Sequence, residues 1–387
     1  MILEGITEGG AVVPVQVTVD GKVVAEGQQG PEGPQGPPGA DGGDFPLPPN
    51  PQDGDILMWE NGGLVWYHPS DPVDPNTGIT WSLQTSAADN GWSSVCWSPE
   101  LSLFAAVSTS GIGNRVMTSP DGITWTSRTS AADNAWYSVC WSPELSLFAA
   151  VASSGTGNRV MTSPDGITWT SRTSAADNAW SSVCWAPELS LFVAVGASGI
   201  NNRVMTSPDG ITWTAQTSGA DHQWRSVCWS PELSLFAAVS ISGLANRVMT
   251  SPDGITWTAQ ATPVDNDWRS VCWSPELSLF VAVSSNGTGN RVMTSPDGIT
   301  WSTQTSAADN AWISVCWAPR ASLFVAVAFS GTDNRVMTSP DGTTWTTRTS
   351  AANYTWFSVC WSDQVERFVA VSYDGSGDRV MISPAPA

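Results

Sequence analysis

The sequence predicts an all-β protein whose body is a closed, seven-bladed β-propeller, and three observations predict it. A 44-residue unit recurs seven times along the chain. Each unit holds four short strand-like segments bounded by turn residues, which is the signature of a propeller blade. The two ends of the array are incomplete and complement each other.

The copy at 138–180 reads SVCWSPELSLFAAVASSGTGNRVMTSPDGITWTSRTSAADNAW. Its strand-like segments are SVCW, LFAAV, NRVMTS and ITWTSRT. Ser-Pro-Asp-Gly (119–122 in the first full copy) suits a tight hairpin, because Pro presets φ, Asp tolerates the next position and Gly enters the left-handed region. Ser-Pro-Glu-Leu (98–101) makes the other constant turn. The array begins on an ITW segment, Gly78-Ile79-Thr80-Trp81, and ends on an RVM segment, Arg379-Val380-Met381. Pairing 79–84 with 379–383 completes the last blade from one N-terminal and three C-terminal strands and removes an open sheet edge.

Trp recurs in ITW (Trp125, Trp169), before SVC (Trp92, Trp136) and after Cys (Trp97, Trp141). Alternation puts Val139 and Trp141 on one face of their strand and Cys140 on the other. Core packing with Leu and Phe of LSLF accounts for these rings; stacking on sugars is the alternative reading. The seven cysteines, Cys96 through Cys360, are spaced 44 apart, one per repeat. That pattern reads as small buried hydrophobes, too far apart for disulfides and not clustered for a metal.

The first 76 residues differ. Residues 1–26 form a β segment expected to serve for attachment, with alternation over 13–24 and a hairpin signal at Asp20-Gly21. From Gly27 to Gly42 glycine stands at every third place, a collagen-like stalk that predicts a homotrimer; a flexible linker is the alternative. Residues 43–76 hold a Pro-rich connector and a hairpin signal turning at Asn61-Gly62, and 77–387 form the propeller.

Charge and composition exclude several functions. The net charge is −20, which repels a phosphate backbone and an anionic membrane surface. No apolar run is long enough to span a bilayer, and the N-terminus does not read as a signal peptide. No catalytic motif occurs, and the two histidines, His68 and His222, lie far apart. Nothing calls for a cofactor or a metal, and no catalytic residue is assigned. Glu100, Asp121, Arg115 and their copies define the repeat, so they read as structural.

Differences between copies carry the functional signal. The residue after the first Trp is Ser93, Tyr137, Ser181, Arg225, Arg269, Ile313 and Phe357 in turn. His222 and Tyr354 stand where most copies have Asn. The variable 2–3 loops and 4–1 connections share one face of the disc, and the constant turns share the other. The candidate ligand contacts are therefore Tyr137, Arg225, Arg269, Ile313, Phe357, His222 and Tyr354. Recognition by exposed loops and neutral drift at their tips both account for the variation.

Two resemblances follow. SPDGITW resembles the Asp-box of sialidase-like (BNR-type) propellers, Ser-x-Asp-x-Gly-x-x-Trp, but here Asp121 and Gly122 are adjacent. The arginine triad and Tyr/Glu pair of a sialidase are missing, so the resemblance implies the fold and not hydrolysis. The whole layout resembles a bacteriophage tail fibre, and DGDILMWENGGLVWYHP (53–69) is similar to short elements of such fibres. That resemblance implies a virion protein made in a host cytoplasm. Its N-terminal region would join other tail or capsid proteins, and its head would recognise a host-surface glycan or protein. The alternatives are a protein decorating a capsid or tail and, less favoured, a glycan hydrolase.

Overall fold

The computed structural model describes residues 73–384 and five strands within the first 72 residues. The chain divides into two units, 1–72 and 73–387. In the first, Ile2–Ile6, Val12–Val17 and Val23–Ala25 form an antiparallel three-stranded sheet. Ile56–Glu60 pairs with Gly63–Tyr67 as a hairpin. The collagen-like stretch 27–42, the connector 44–52 and the turns at Asp20-Gly21 and Asn61-Gly62 lie outside the described residues.

The second unit is the seven-bladed propeller, built from seven four-stranded antiparallel sheets. In blade 2 the strands run outward from the axis as Trp136–Ser142, Leu147–Ala152, Val160–Ser163 and Thr170–Arg172. The inner strands of successive blades, the last and first included, lie against one another. Blade 7 combines Trp356–Ser362, Arg367–Ser372 and Val380–Ser383 with Ser82–Gln84 from the start of the array. The register is Val380↔Gln84, Met381↔Leu83 and Ile382↔Ser82.

This seam rebuilds a turn from two pieces of chain. In blade 1 the Gly122 amide donates to Ser119 Oγ at 2.8 Å. Across the seam the Gly78 amide donates to Ser383 Oγ at 2.7 Å. Each bond is buried, and each turn has its Trp Nε1 donating to the Gly carbonyl, from Trp125 and from Trp81.

Packing between blades explains the repeated aromatics. Phe148 sits between Trp141 and Trp169, with ring centroids 4.6 and 6.1 Å away, and the other blades repeat the stack. Trp136 and its six equivalents are fully buried. Rings of this size bury about 150–250 Å² each, so this layer accounts for much of the core. The repeated Trp side chains are thus core, apart from Trp81, Trp97 and Trp361 beside the seam, which are only partly buried.

Val139 and Trp141 pack with blade 1, while Cys140 packs toward blade 3. The cysteines are free and partly rather than fully buried, a correction to the expectation of full burial. Burial nevertheless pushes every thiol pKa well up.

The constant face carries links between blades. Trp141 Nε1 donates to Glu100 of the preceding blade at 2.5 Å, and Glu144, Glu188, Glu232 and Glu276 accept likewise from Trp185, Trp229, Trp273 and Trp317. The pattern breaks near the seam. Arg320 replaces the glutamate of blade 6 and pairs with Glu366 at 2.5 Å. Trp361 then donates to Asp363 of its own blade.

Candidate functional site

The variable face is locked by a repeated clamp. Arg115 donates through Nε to the Gly111 carbonyl and through a terminal nitrogen to the Thr109 carbonyl, with Asp133 at 3.6 Å. Asp133 also accepts the Gly113 amide, tying the 2–3 loop to the 4–1 connection that leads to the next blade. The repeated arginines are therefore structural, as their periodicity implies.

Asn90 Nδ2 donates to the Asn114 carbonyl at 2.8 Å, and Asn134, Asn178, Asn266 and Asn310 do the same in their blades. His222 and Tyr354 occupy this clamp position. His222 Nε2 lies 2.9 Å from Asn246 Oδ1, and Tyr354 Oη donates to Asp378 at 3.1 Å. The structure puts both in the loop framework, away from the residues that gather at the axis.

Those residues gather through a β-bulge. In every inner strand the register slips after the first Trp, as between Trp136 and Ser138. A bulge re-aims the extra residue, and here that residue is the variable one. Tyr137, Ser181, Arg225, Arg269, Ile313, Phe357 and Ser93 line one cleft of about 290 Å³, joined by Phe329 and the next serine of most blades. Five of the seven candidates thus converge.

Serine is the plain solution at this position. Ser93 Oγ donates to the Trp136 carbonyl at 2.6 Å, and Ser181 Oγ to the Trp224 carbonyl at 2.6 Å. The other five blades depart from it. Tyr137 and Phe357 meet edge to face at 6.1 Å, and Phe357 also lies 6.2 Å from Tyr373. Arg269 donates Nε to Ser285 Oγ at 2.9 Å. Arg225 makes no hydrogen bond among the described residues, and its Nε is buried. Burial lowers the pKa of both guanidiniums; the charge of Arg225 lowers that of Arg269 further, while Tyr137 and Asp267 oppose the shift in each.

The serine after the bulge had no signal in the sequence beyond its constancy. Ser94 Oγ accepts the Val139 amide of the next blade at 3.2 Å. All seven blades repeat this bond, and Ser358 closes the circle on Val95. Phe329 also escaped the sequence reading; its column holds Thr109, Ser153, Ala197, Ile241 and Ser285 in the first five copies. A second cavity of about 370 Å³ lies beside 73–79, but its Arg320 is already paired with Glu366.

Fold and cleft together define a seven-bladed propeller with a small, part-aromatic, cationic cleft on its axis. No protein-family model matches the chain, and no curated protein matches it. Solved structures share the fold. A streptogramin B lyase structure superposes with a TM-score of 0.66 at 6% identity, covering 79% of this chain and 97% of that one. A GH74 enzyme of Niastella koreensis gives 0.60 at 15% identity, covering 78% of this chain and 53% of that one. The extracellular domain of a one component system from B. thetaiotaomicron gives 0.56 at 10%, covering 80% of this chain and 40% of that one. The chain thus spans about half or less of the last two. At these identities the likeness is one of fold.

Proposed function

We propose that the propeller is a non-catalytic recognition head that binds a host-surface glycan in the axial cleft. One observation carries this reading. Five residues that break an otherwise regular repeat, Tyr137, Arg225, Arg269, Ile313 and Phe357, line a single cleft. The ring's symmetry gathers this column at the axis, and what supports recognition is the kind of residue that replaces serine there: two rings, two guanidiniums and an isoleucine facing one small cleft. The cleft lining contains no carboxylate, histidine or cysteine, which favours binding over hydrolysis or elimination, although a lyase and a GH74 enzyme share the fold.

The fibre reading rests on the sequence. In it, residues 1–26 attach to other tail or capsid proteins of a virion and 27–42 form a trimeric stalk. Three heads on one stalk would then convert weak single sites into strong attachment.

A second reading has its own observation. Ile112, Ile200 and Leu244 at the tips of three 2–3 loops are 90, 80 and 84% exposed. Aliphatic tips on one face also suit contact with another virion protein, as in a decorating protein.

The test is binding of the full chain to an array of neutral and acidic bacterial surface polysaccharides. Binding that is lost in Tyr137→Ser/Phe357→Ser, which copies the serine of blades 1 and 3, supports the reading. An array with no bound glycan, or binding indifferent to that double variant, refutes it.

A further inference from the structure

We infer that the axial cleft takes an acidic sugar residue, its carboxylate or sulfate held between Arg225 and Arg269 and its ring lying against Tyr137 and Phe357. This rests on the recognition reading above and names the ligand class. It starts from an imbalance of charge. The chain carries a net charge of −20, yet the cleft lining holds two arginines and no acid.

The other described arginines are committed. Those of the clamp are bound to loop carbonyls, with a carboxylate beside most of them. Arg128, Arg172 and Arg348 donate to threonine hydroxyls. Arg320 pairs with Glu366, and Arg367 donates to the Asp121 carbonyl. Arg225 alone makes no hydrogen bond among the described residues, although its Nε is buried. Arg269 uses only Nε, on Ser285, and leaves its terminal nitrogens without a protein acceptor. The acid whose charge reaches both, Asp267, is already bound to Arg247 at 2.8 Å.

Half-buried guanidiniums side by side repel each other and have lost part of their hydration, and Asp267, itself bound to Arg247, offsets these costs only in part. One oxyanion between them would meet both. Planar guanidinium forks match carboxylate and sulfate geometry, which a lysine would not. The opposite wall supplies two rings that meet edge to face, and Ile313 and Phe329 add apolar surface to the lining. At about 290 Å³ the cleft is at the small end for ligand sites, suited to one sugar ring rather than a chain.

The experiment is calorimetric titration of the full chain with four probes: methyl glucuronide, N-acetylglucosamine 6-sulfate, methyl glucoside and inorganic sulfate. The first two are expected to bind at least ten times more tightly than the neutral glucoside and than sulfate alone. The difference between them tells carboxylate from sulfate ester. Arg225→Ser and Arg269→Ser should each weaken the acidic sugar roughly 10- to 100-fold, the loss expected of a charge-assisted hydrogen bond. Both variants recreate the serine that blades 1 and 3 already carry, and their thermal melts should match the parent. Arg225→Lys should recover only part of the affinity.

Equal affinity for acidic and neutral sugars, or indifference to both serine variants, overturns the acidic-sugar inference and leaves the recognition reading standing. Sulfate binding as tightly as the sulfated sugar overturns the part played by the ring. If none of the probes binds at millimolar concentration the inference falls, and the polysaccharide array decides the recognition reading separately.

Discussion

Removing Ser182 Oγ tests whether the inner strands are held by a dry ring of hydrogen bonds. In Ser182→Ala the Val227 amide of the next blade loses its acceptor, which lies at 3.2 Å. Ser182 is 9% exposed and Val227 5%, so water has little access to replace it. A buried amide left without a partner costs about 1–3 kcal/mol. Unfolding entropy near 2.1 cal/mol/K per residue over roughly 310 residues turns this into a Tm lower by about 2–5 °C. The assay is thermal unfolding followed by circular dichroism, with guanidinium melts to confirm an unchanged m value. The same change at Ser94, whose partner amide in blade 2 is equally buried, should cost the same. The Ser94→Ala/Ser182→Ala double variant should show the sum, because the serines are two blades apart and share no partner. Unchanged melting in both single variants would refute the dry ring, since it would mean that channel water satisfies the amides.

Glycines in two turns separate steric from conformational cost. Gly166 has φ +70° and a Cβ there would meet Leu103 Cδ2 at 2.8 Å, whereas Gly157 has φ +69° and nothing within 4 Å. Gly157→Ala should cost about 1–2 kcal/mol and Gly166→Ala clearly more, read from denaturant melts. The seven thiols should resist maleimide in the native protein and all react after unfolding, counted by intact mass. Acid should weaken the SPDG turns. Burial tends to raise the carboxyls of Asp165, Asp209 and Asp253, but hydrogen bonds from the following amides and the turn serine outweigh it and hold them below the ordinary range. Folded pKa values below the unfolded ones give stability that is complete above about pH 4 and lost as pH falls through the folded values. Tm should therefore be insensitive to these groups between pH 5 and 7 and drop below about pH 4, and a flat profile to pH 2 would contradict the turn chemistry.

The ring and its closure were legible because repetition makes each strand signal count seven times. A lone SVCW would be ambiguous; the same word at Cys96, Cys140 and every later copy is not. The seam was legible because Gly78 and Arg379 begin and end the array at complementary places. The site was half legible. Variation singled out Tyr137, Arg225, Arg269, Ile313 and Phe357, but only the bulge after Trp136 and its equivalents makes them neighbours, and bulges leave no mark in one sequence. His222 and Tyr354 vary for a different reason: each rebuilds, with its own partner, the clamp that asparagine makes elsewhere. Ser94 and its copies stayed hidden because invariance within a repeat looks the same whether it serves packing or a hydrogen bond between blades.

The seam also bears on how such a protein could change over generations. Residues 114–136 and 158–180 are identical, the mark of blades that arose by duplication and can be exchanged for one another. An exchange that begins in one repeat and ends at the same place in another moves whole blades. Exchanged blades keep the bond from the constant serine to the valine amide of the next blade, whereas Ser93 and Ser181 bond the next blade from the variable column and the Arg320–Glu366 pair belongs to its place beside the seam. Exchange cannot freely change the number of blades, because the half-blades at the two ends must still meet around a circle of seven. The ring is thus a set of cassettes of fixed number, and exchange among them redraws the lining of the axial cleft while the circle stays closed.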